Sequence, residues 1–427
     1  MKHYYSNPVA LILKAGLYYR KFVRAVNLSA DELYAYQFKC VFENLSYAYQ
    51  HVPYYKETFS SCGFQPGDFK ELSNLKDLPY LTKDVLRSED PVRFLSDEAD
   101  RLNVAYLKTS GSTGTPLQFA CDLNARAAKY AITMMAFREA GYRLGDGQFI
   151  LKNCFYADKA FAYSRLTNRI AMHAYMNSKE NCKACDVVLR RHRVKHILAH
   201  PHALLEFGHS ISSPRDTFKD LRGISSLSEP LTPGLRGQIE ACFGSRVYDY
   251  YSNMESSLVG YETQKQGYLL GEQFSYNEII PDGTDPMSGE IVSTTFFSKA
   301  MPLIRYRNAD IVKLRRPGSE EGAFRRIVEV CGRTSDAVLL PDGNRVRIFH
   351  LMHSRMDNIQ TYQFVQDAQR HLFVDVVPIE VGRHIHEYDI VREMKMYVGE
   401  DVAVDIRIVA ELRKTKAGKT PRIISCI

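Results

Sequence analysis

The sequence predicts an α/β fold: a large N-terminal domain over residues 1–333 with mixed and parallel sheets and helices, and a small α+β domain over 334–427. Three observations predict it. Between residues 102 and 251, short apolar runs alternate with segments of helical length, the pattern of a largely parallel sheet. From Asn277 to Val328, strand-like runs follow one another across Pro, Gly and Asp turns. Past Gly332-Arg333 the texture becomes mixed again, over enough residues for a separate small domain.

The elements follow in order. Residues 8–19 are apolar but include Lys14, and Arg20, Lys21 and Arg24 follow them. This stretch is too short to span a bilayer. It reads as an N-terminal helix docked on its own domain, with peripheral membrane contact left open. Tyr34, Phe38, Val41, Leu45 and Ala48 recur at three- and four-residue spacing, which predicts a helix over 31–51 that Pro53 interrupts. Thr82 is placed to cap a short helix. Strands are expected at 102–107, 148–151, 196–199, 221–227 and 247–251, with helices at 123–140 and about 233–242. Further strands are expected at 277–280, 289–297, 310–314 and 324–328. The last block carries helices at 348–356 and 386–396, strands at 362–366, 372–377 and 402–409, and a Lys/Gly tail.

The chain has 427 residues, 45% apolar and 25% charged, in the range of ordinary globular proteins. A net charge of +7 suits an anionic small ligand and does not argue for nucleic acid. The basic run 190–196 reads as a solvated helix face. Nine cysteines, an odd number without a secretory framework, point to reduced thiols and a cytoplasmic setting. Cys182-x-x-Cys185 has no second pair at zinc-site spacing.

The most informative stretch is Thr109-Ser110-Gly111-Ser112-Thr113-Gly114-Thr115-Pro116. Five of its eight residues are Ser or Thr, set around two glycines. Hydroxyls and closely approaching backbone amides make a donor surface for phosphate oxygens. No Gly-Lys-[Ser/Thr] follows, so it is not a Walker loop.

With this octet, the order and spacing of further segments resemble the adenylate-forming ligases, and among them the phenylacetate–CoA ligase branch with its capsular-polysaccharide-cluster relatives. The segments are Val52-Pro-Tyr-Tyr55, Leu78-Pro79, Leu81-Thr-Lys83, Ser228-Glu229-Pro230, Val247-Tyr-Asp249-Tyr250-Tyr251-Ser252-Asn-Met-Glu255, Pro302-Leu-Ile-Arg-Tyr-Arg-Asn-Ala-Asp310, Gly332-Arg333 and Arg413 to Arg422. The resemblance covers nearly the whole chain.

It implies that the octet holds the ATP phosphates and that Ser228, Glu229 and Pro230 pass over the adenine. Tyr251, in the segment with Asp249, Tyr250 and Ser252, would stack on the base. Glu255 would hold Mg²⁺, a hard cation suited to carboxylate oxygen. Asp310 would accept from both ribose hydroxyls, and Arg333 would contact ribose or phosphate. Ser335 or Asp336 would be the hinge. Lys419 would stabilise the charge that develops at the α-phosphorus. Ser252, Ala309 and Ser335 depart from the family pattern. A zinc site some relatives carry is not expected, because 256–273 holds neither Cys nor His.

The implied reaction is ATP- and Mg²⁺-dependent formation of an acyl-adenylate from a small carboxylic acid. Transfer to an acceptor follows: CoA, or an amine or sugar in polysaccharide biosynthesis. A non-catalytic nucleotide-binding scaffold is the alternative from another class. Phe155, Tyr156, Phe161 and Tyr163 are candidates for an aryl-acid pocket or for the core.

Overall fold

The computed structural model describes residues 8–108, 117–152, 159–229, 231–264, 267–281, 285–316, 318, 322–333, 338–343, 345–346, 358–414, 420–421 and 423–425. The chain forms two compact units, residues 1–139 with 250–331 and residues 140–249 with 332–427.

In the first unit, helix Ala30–His51 starts on a capping box. The Ser29 hydroxyl accepts from Glu32 N at 3.3 Å, and the Glu32 carboxylate accepts from Ser29 N at 2.9 Å. Its buried face, Val41, Leu45 and Ala48, packs with Val52 at the junction and with Tyr55 and Phe59 of the next helix, Pro53–Ser61. The strands run side by side in the order Ser275–Pro281, Ser288–Thr295, Tyr306–Arg315, Arg326–Arg333, Tyr268–Leu270 and Val259–Glu262, with the last paired to Tyr250–Ser252. The strands flanking the Gly/Ser/Thr octet, Ala105–Lys108 and Gln118–Cys121, pair antiparallel.

The second unit holds a sheet in the order Gly223–Leu227, Val194–Ala199, Gly147–Lys152, Arg169–His173 and Phe161–Ser164. All but the last pairing are parallel, as the alternation predicts. Its helices include Lys179–Leu189, Pro201–Ser210 and Pro233–Phe243, the last ended by Gly244 at φ 68°.

The basic run departs from expectation. Helix Lys179–Leu189 stops before Arg190, and Val194–Ala199 is an inner strand. His196 is fully buried there, bonded to Gln148 and Ser225 at 2.8 Å each. Burial pushes its pKa down to about 3. An inner strand of a parallel sheet is covered on both faces, so Val194 and His196 of the run are withdrawn from solvent.

The C-terminal block of this unit has its own four-stranded sheet, in the order Val404–Ile408, Leu372–Pro378, Ile359–Gln366, Ile423–Ser425. Helix Glu387–Val398 covers it, and Phe364, Leu372, Val374, Val376, Ile390 and Met394 fill its core. The helix expected at 348–356 lies outside the described residues.

Candidate active site

Strand Val247–Ser252 alternates its side chains. Tyr250 is buried, its phenol within 2.8 Å of Thr133 and bonded to Ser252. Tyr251 points the other way and is half-buried. Its hydroxyl donates to Asp310 Oδ2 at 2.7 Å. Across the strand pair Tyr251 faces Gly260, where an added Cβ would come within 2.7 Å of Ile327 Cδ1. Glycine there leaves room for the packed tyrosine ring and its neighbour.

Asp310 is buried on strand Tyr306–Arg315, and its backbone N–H donates to Asn308 Oδ1 at 2.9 Å. The strand bulges there: Glu290 pairs with Ile311 and Val292 with Arg307, so Ile291 alone opposes three residues. Ala309 sits in the bulge at φ 71°. This left-handed geometry favours glycine, and alanine bears the strain instead.

Glu255 lies in a turn held by Asn253, whose side chain accepts from Ser257 N at 3.0 Å and donates to Ser257 Oγ at 2.7 Å. Tyr306 is fully buried and donates its hydroxyl to Glu255 Oε1 at 3.0 Å. A half-buried carboxylate steered by one phenol presents hard oxygen donors, which fits a magnesium ion.

The segment 305–308 is clamped by the N-terminal motif. Leu81 N donates to Arg305 O at 3.1 Å, Arg307 N to Leu81 O at 2.9 Å, and Lys83 Nζ to Asn308 O at 3.1 Å. The Arg305 guanidinium is buried, paired twice with Glu278 at 2.9 and 3.1 Å, and stacked 4.1 Å over Tyr80. The Leu78-Pro-Tyr-Leu-Thr-Lys83 motif therefore positions the aspartate strand.

Sequence reasoning missed Tyr306 and Lys129. The Lys129 ammonium is buried without a hydrogen-bond partner among the described residues. It lies 5.8 Å from the ring centres of both Tyr250 and Phe274. Burial pushes its pKa down to about 7, against the opposing pull of Cys121 and Glu255. Its place amid alanines on helix Leu123–Glu139 was the one available signal.

In the second unit Ser228 stands at φ 69°. The Glu229 side chain is buried and bonded to His202 at 3.0 Å. Burial raises its pKa, but the His202 contacts outweigh that and hold it low. The other ring nitrogen of His202 is 3.0 Å from Thr361 Oγ1 in the C-terminal block. Asp249 is half-buried near the end of its strand. Phe161 packs against the core, and the ring of Tyr163 lies tilted against His192 with centres 4.2 Å apart. Buried Gln363 donates to Arg413 O at 3.0 Å and Pro421 O at 2.7 Å. It thereby pins both ends of the lysine segment. Among the described residues, four of the seven non-glycine positions with positive φ are Ser228, Ser256, Arg305 and Ala309, all on or beside the expected site segments.

Thr109, Ser110, Gly111, Ser112, Thr113, Gly114, Pro230, Ser335, Asp336, Lys419, Phe155 and Tyr156 lie outside the described residues, and of Arg333 only the backbone is described.

A family model described as "CapK C-terminal domain" matches residues 338–426. The phenylacetate-coenzyme A ligase of Aromatoleum evansii is 25% identical over 435 residues, covering 93% of this chain and 95% of its own length. That of Escherichia coli (strain K12) is 27% identical and covers 73% of this chain and 74% of its own. A solved 2-hydroxyisobutyryl-CoA ligase, in complex with R3-HIB-AMP, superposes with a TM-score of 0.73 at 18% identity, covering 94% of this chain and 91% of its own. That likeness establishes the fold.

Proposed function

This chain is a full-length homologue of the phenylacetate–coenzyme A ligases, built on the fold of adenylate-forming ligases, and from that premise we propose that it activates a carboxylic acid as its acyl-adenylate and passes the acyl group to coenzyme A. The carboxylate oxygen attacks the α-phosphorus of ATP, and pyrophosphate leaves. The CoA thiol then attacks the acyl carbon, and AMP leaves. The observation that carries this reading is the Tyr251–Asp310 hydrogen bond, which sets an aromatic face beside a buried carboxylate, as a nucleoside requires. The protein supplies position and charge, and no covalent intermediate on its own side chains is needed.

Asp310 takes the ribose hydroxyls, with Tyr251 holding its Oδ2 in place. Ser228, Glu229 and Pro230 line the adenine, and the octet 109–116 holds the phosphates. Arg333 contacts ribose or phosphate. Glu255, steered by Tyr306, would hold Mg²⁺, which when bound offsets the charge of the triphosphate. Lys419 stabilises the transition state of the first step, and the block 334–427 turns between the two steps. Gln363 supports this by fixing the ends of the Lys419 segment to the block's own sheet.

The test is pyrophosphate exchange against a panel of carboxylic acids, followed by discharge of the acyl-adenylate with CoA. Lys419→Ala should lose exchange by at least about a hundredfold, the scale of one well-placed charge stabiliser, while still consuming pre-made acyl-adenylate. Full exchange in this variant sinks the assignment. A second reading rests on the CapK description of 338–426: the acceptor is an amine or hydroxyl of a sugar. Discharge by such acceptors but not by CoA decides for it.

A further inference from the structure

Helix Pro8–Ala25 is buried on one side only. Ala15, Phe22 and Ala25 face the first unit. Tyr18 and Phe22 pack against Phe297 with ring centres 4.9 and 5.6 Å apart, and the Tyr19 hydroxyl receives a hydrogen bond from Arg138 at 2.8 Å. The opposite side is apolar and exposed. Val9, Ile12, Leu13 and Leu17 are between 60 and 67% exposed, and Val23 is 37% exposed. Their spacing of three, four and eight residues puts the first four on one face. Arg20 lies eleven residues past Val9 and Arg24 eleven past Leu13, three helical turns along the same face. Both arginines are exposed.

A solvent-facing stripe should be polar, and this one is the reverse. Its charge points to what covers it. The helix carries Lys14, Arg20, Lys21 and Arg24 and no acidic residue. The Lys21 ammonium lies over the rings of Tyr36 and Phe297, 4.9 and 5.5 Å from their centres. A second copy of the helix laid on this face would bury arginines with no carboxylate from the helix to pair them. An anionic lipid surface takes both features at once: phosphates receive the arginines while the aliphatic stripe enters the acyl boundary. No helix among the described residues is long and apolar enough to cross a membrane, so the contact is one of lying on the surface.

We propose that the outward face of helix Pro8–Ala25 is a docking surface for an anionic phospholipid membrane, with Val9, Ile12, Leu13 and Leu17 entering the lipid and Arg20 and Arg24 contacting headgroups. This docking does not depend on the reaction assigned above.

The full chain is co-sedimented with sucrose-loaded vesicles of phosphatidylcholine, with and without phosphatidylglycerol. Binding to the anionic vesicles is expected, at least about tenfold weaker to the neutral ones and weakened by salt. The double variant Leu13→Gln/Leu17→Gln should lose binding to both. Arg20→Glu/Arg24→Glu should lose the anionic preference. These side chains are exposed, so both variants should keep the wild-type melting temperature and pyrophosphate exchange. Absence of wild-type binding, or equal binding by all three proteins, overturns the proposal. So does a dimer in light scattering that the leucine variant dissociates without a change in vesicle binding, because the face is then an interface between copies.

Discussion

The Tyr251 hydroxyl donates to Asp310 Oδ2 at 2.7 Å, across 59 residues of sequence. The aromatic face and the carboxylate assigned to the nucleoside are thus set relative to each other before any ligand arrives. Such preorganisation lowers the ordering needed on binding.

Tyr251→Phe keeps the ring and removes its hydrogen bond to Asp310 Oδ2, which keeps the Asn308 amide as a donor at 3.3 Å. Its KM for ATP should rise several-fold, and that for the acid should stay. Asp310→Ala removes the acceptor itself. It should weaken ATP binding more than tenfold, since a hydrogen bond to a charged group contributes about 1.5–3 kcal/mol. Calorimetry that finds native ATP affinity in the aspartate variant refutes the ribose assignment.

Tyr306→Phe leaves Glu255 without its steering phenol. The Mg²⁺ concentration needed for half-maximal exchange should rise, and Glu255→Ala should abolish exchange while the protein stays folded. A magnesium titration identical in all three proteins would remove Glu255 from the site.

Ala309 holds a left-handed backbone inside the bulge beside Asp310. Glycine relieves a strain of roughly 1–2 kcal/mol, partly offset by the greater freedom of the unfolded chain. Ala309→Gly should therefore raise the denaturation midpoint slightly, with exchange retained. A clear loss of stability would show that the alanine is not strained.

Lys129 is a base whose folded pKa, about 7, lies below its unfolded value. Between the two the unfolded chain binds more protons, so this group makes stability rise with pH across that window; below about 7 its full penalty is present. Lys129→Met removes the penalty. The variant should gain a few kcal/mol at about pH 6, because each tenfold loss of proton affinity on folding costs about 1.4 kcal/mol. The gain should shrink toward pH 10 as the unfolded chain also releases the proton. Urea denaturation at both pH values checks this. A pH-independent gain points to packing alone, and a loss shows that the ammonium has a partner.

What was legible in the sequence was what short-range patterns specify. The cap at Thr82, the helix from Tyr34 to Ala48 and the alternation of strands and helices depend on residues a few positions apart. The motif order carried the likeness to adenylate-forming ligases in the same way. The role of the Leu78–Lys83 motif was not legible, because its partners, Arg305 and Asn308, are more than two hundred residues away.

Nor did periodicity show that His196 is withdrawn from a basic run, since an inner strand is covered only once its neighbours pair. The sequence by itself determined the alternation of strands and helices, the order of the motifs and the residue types available for the chemistry. Tertiary structure alone decided which phenol holds Asp310, which steers Glu255, where the bulge places Ala309 and which side of the first helix stays exposed. Those facts follow from strand register and helix docking, in which distant side chains meet only after the sheet has formed.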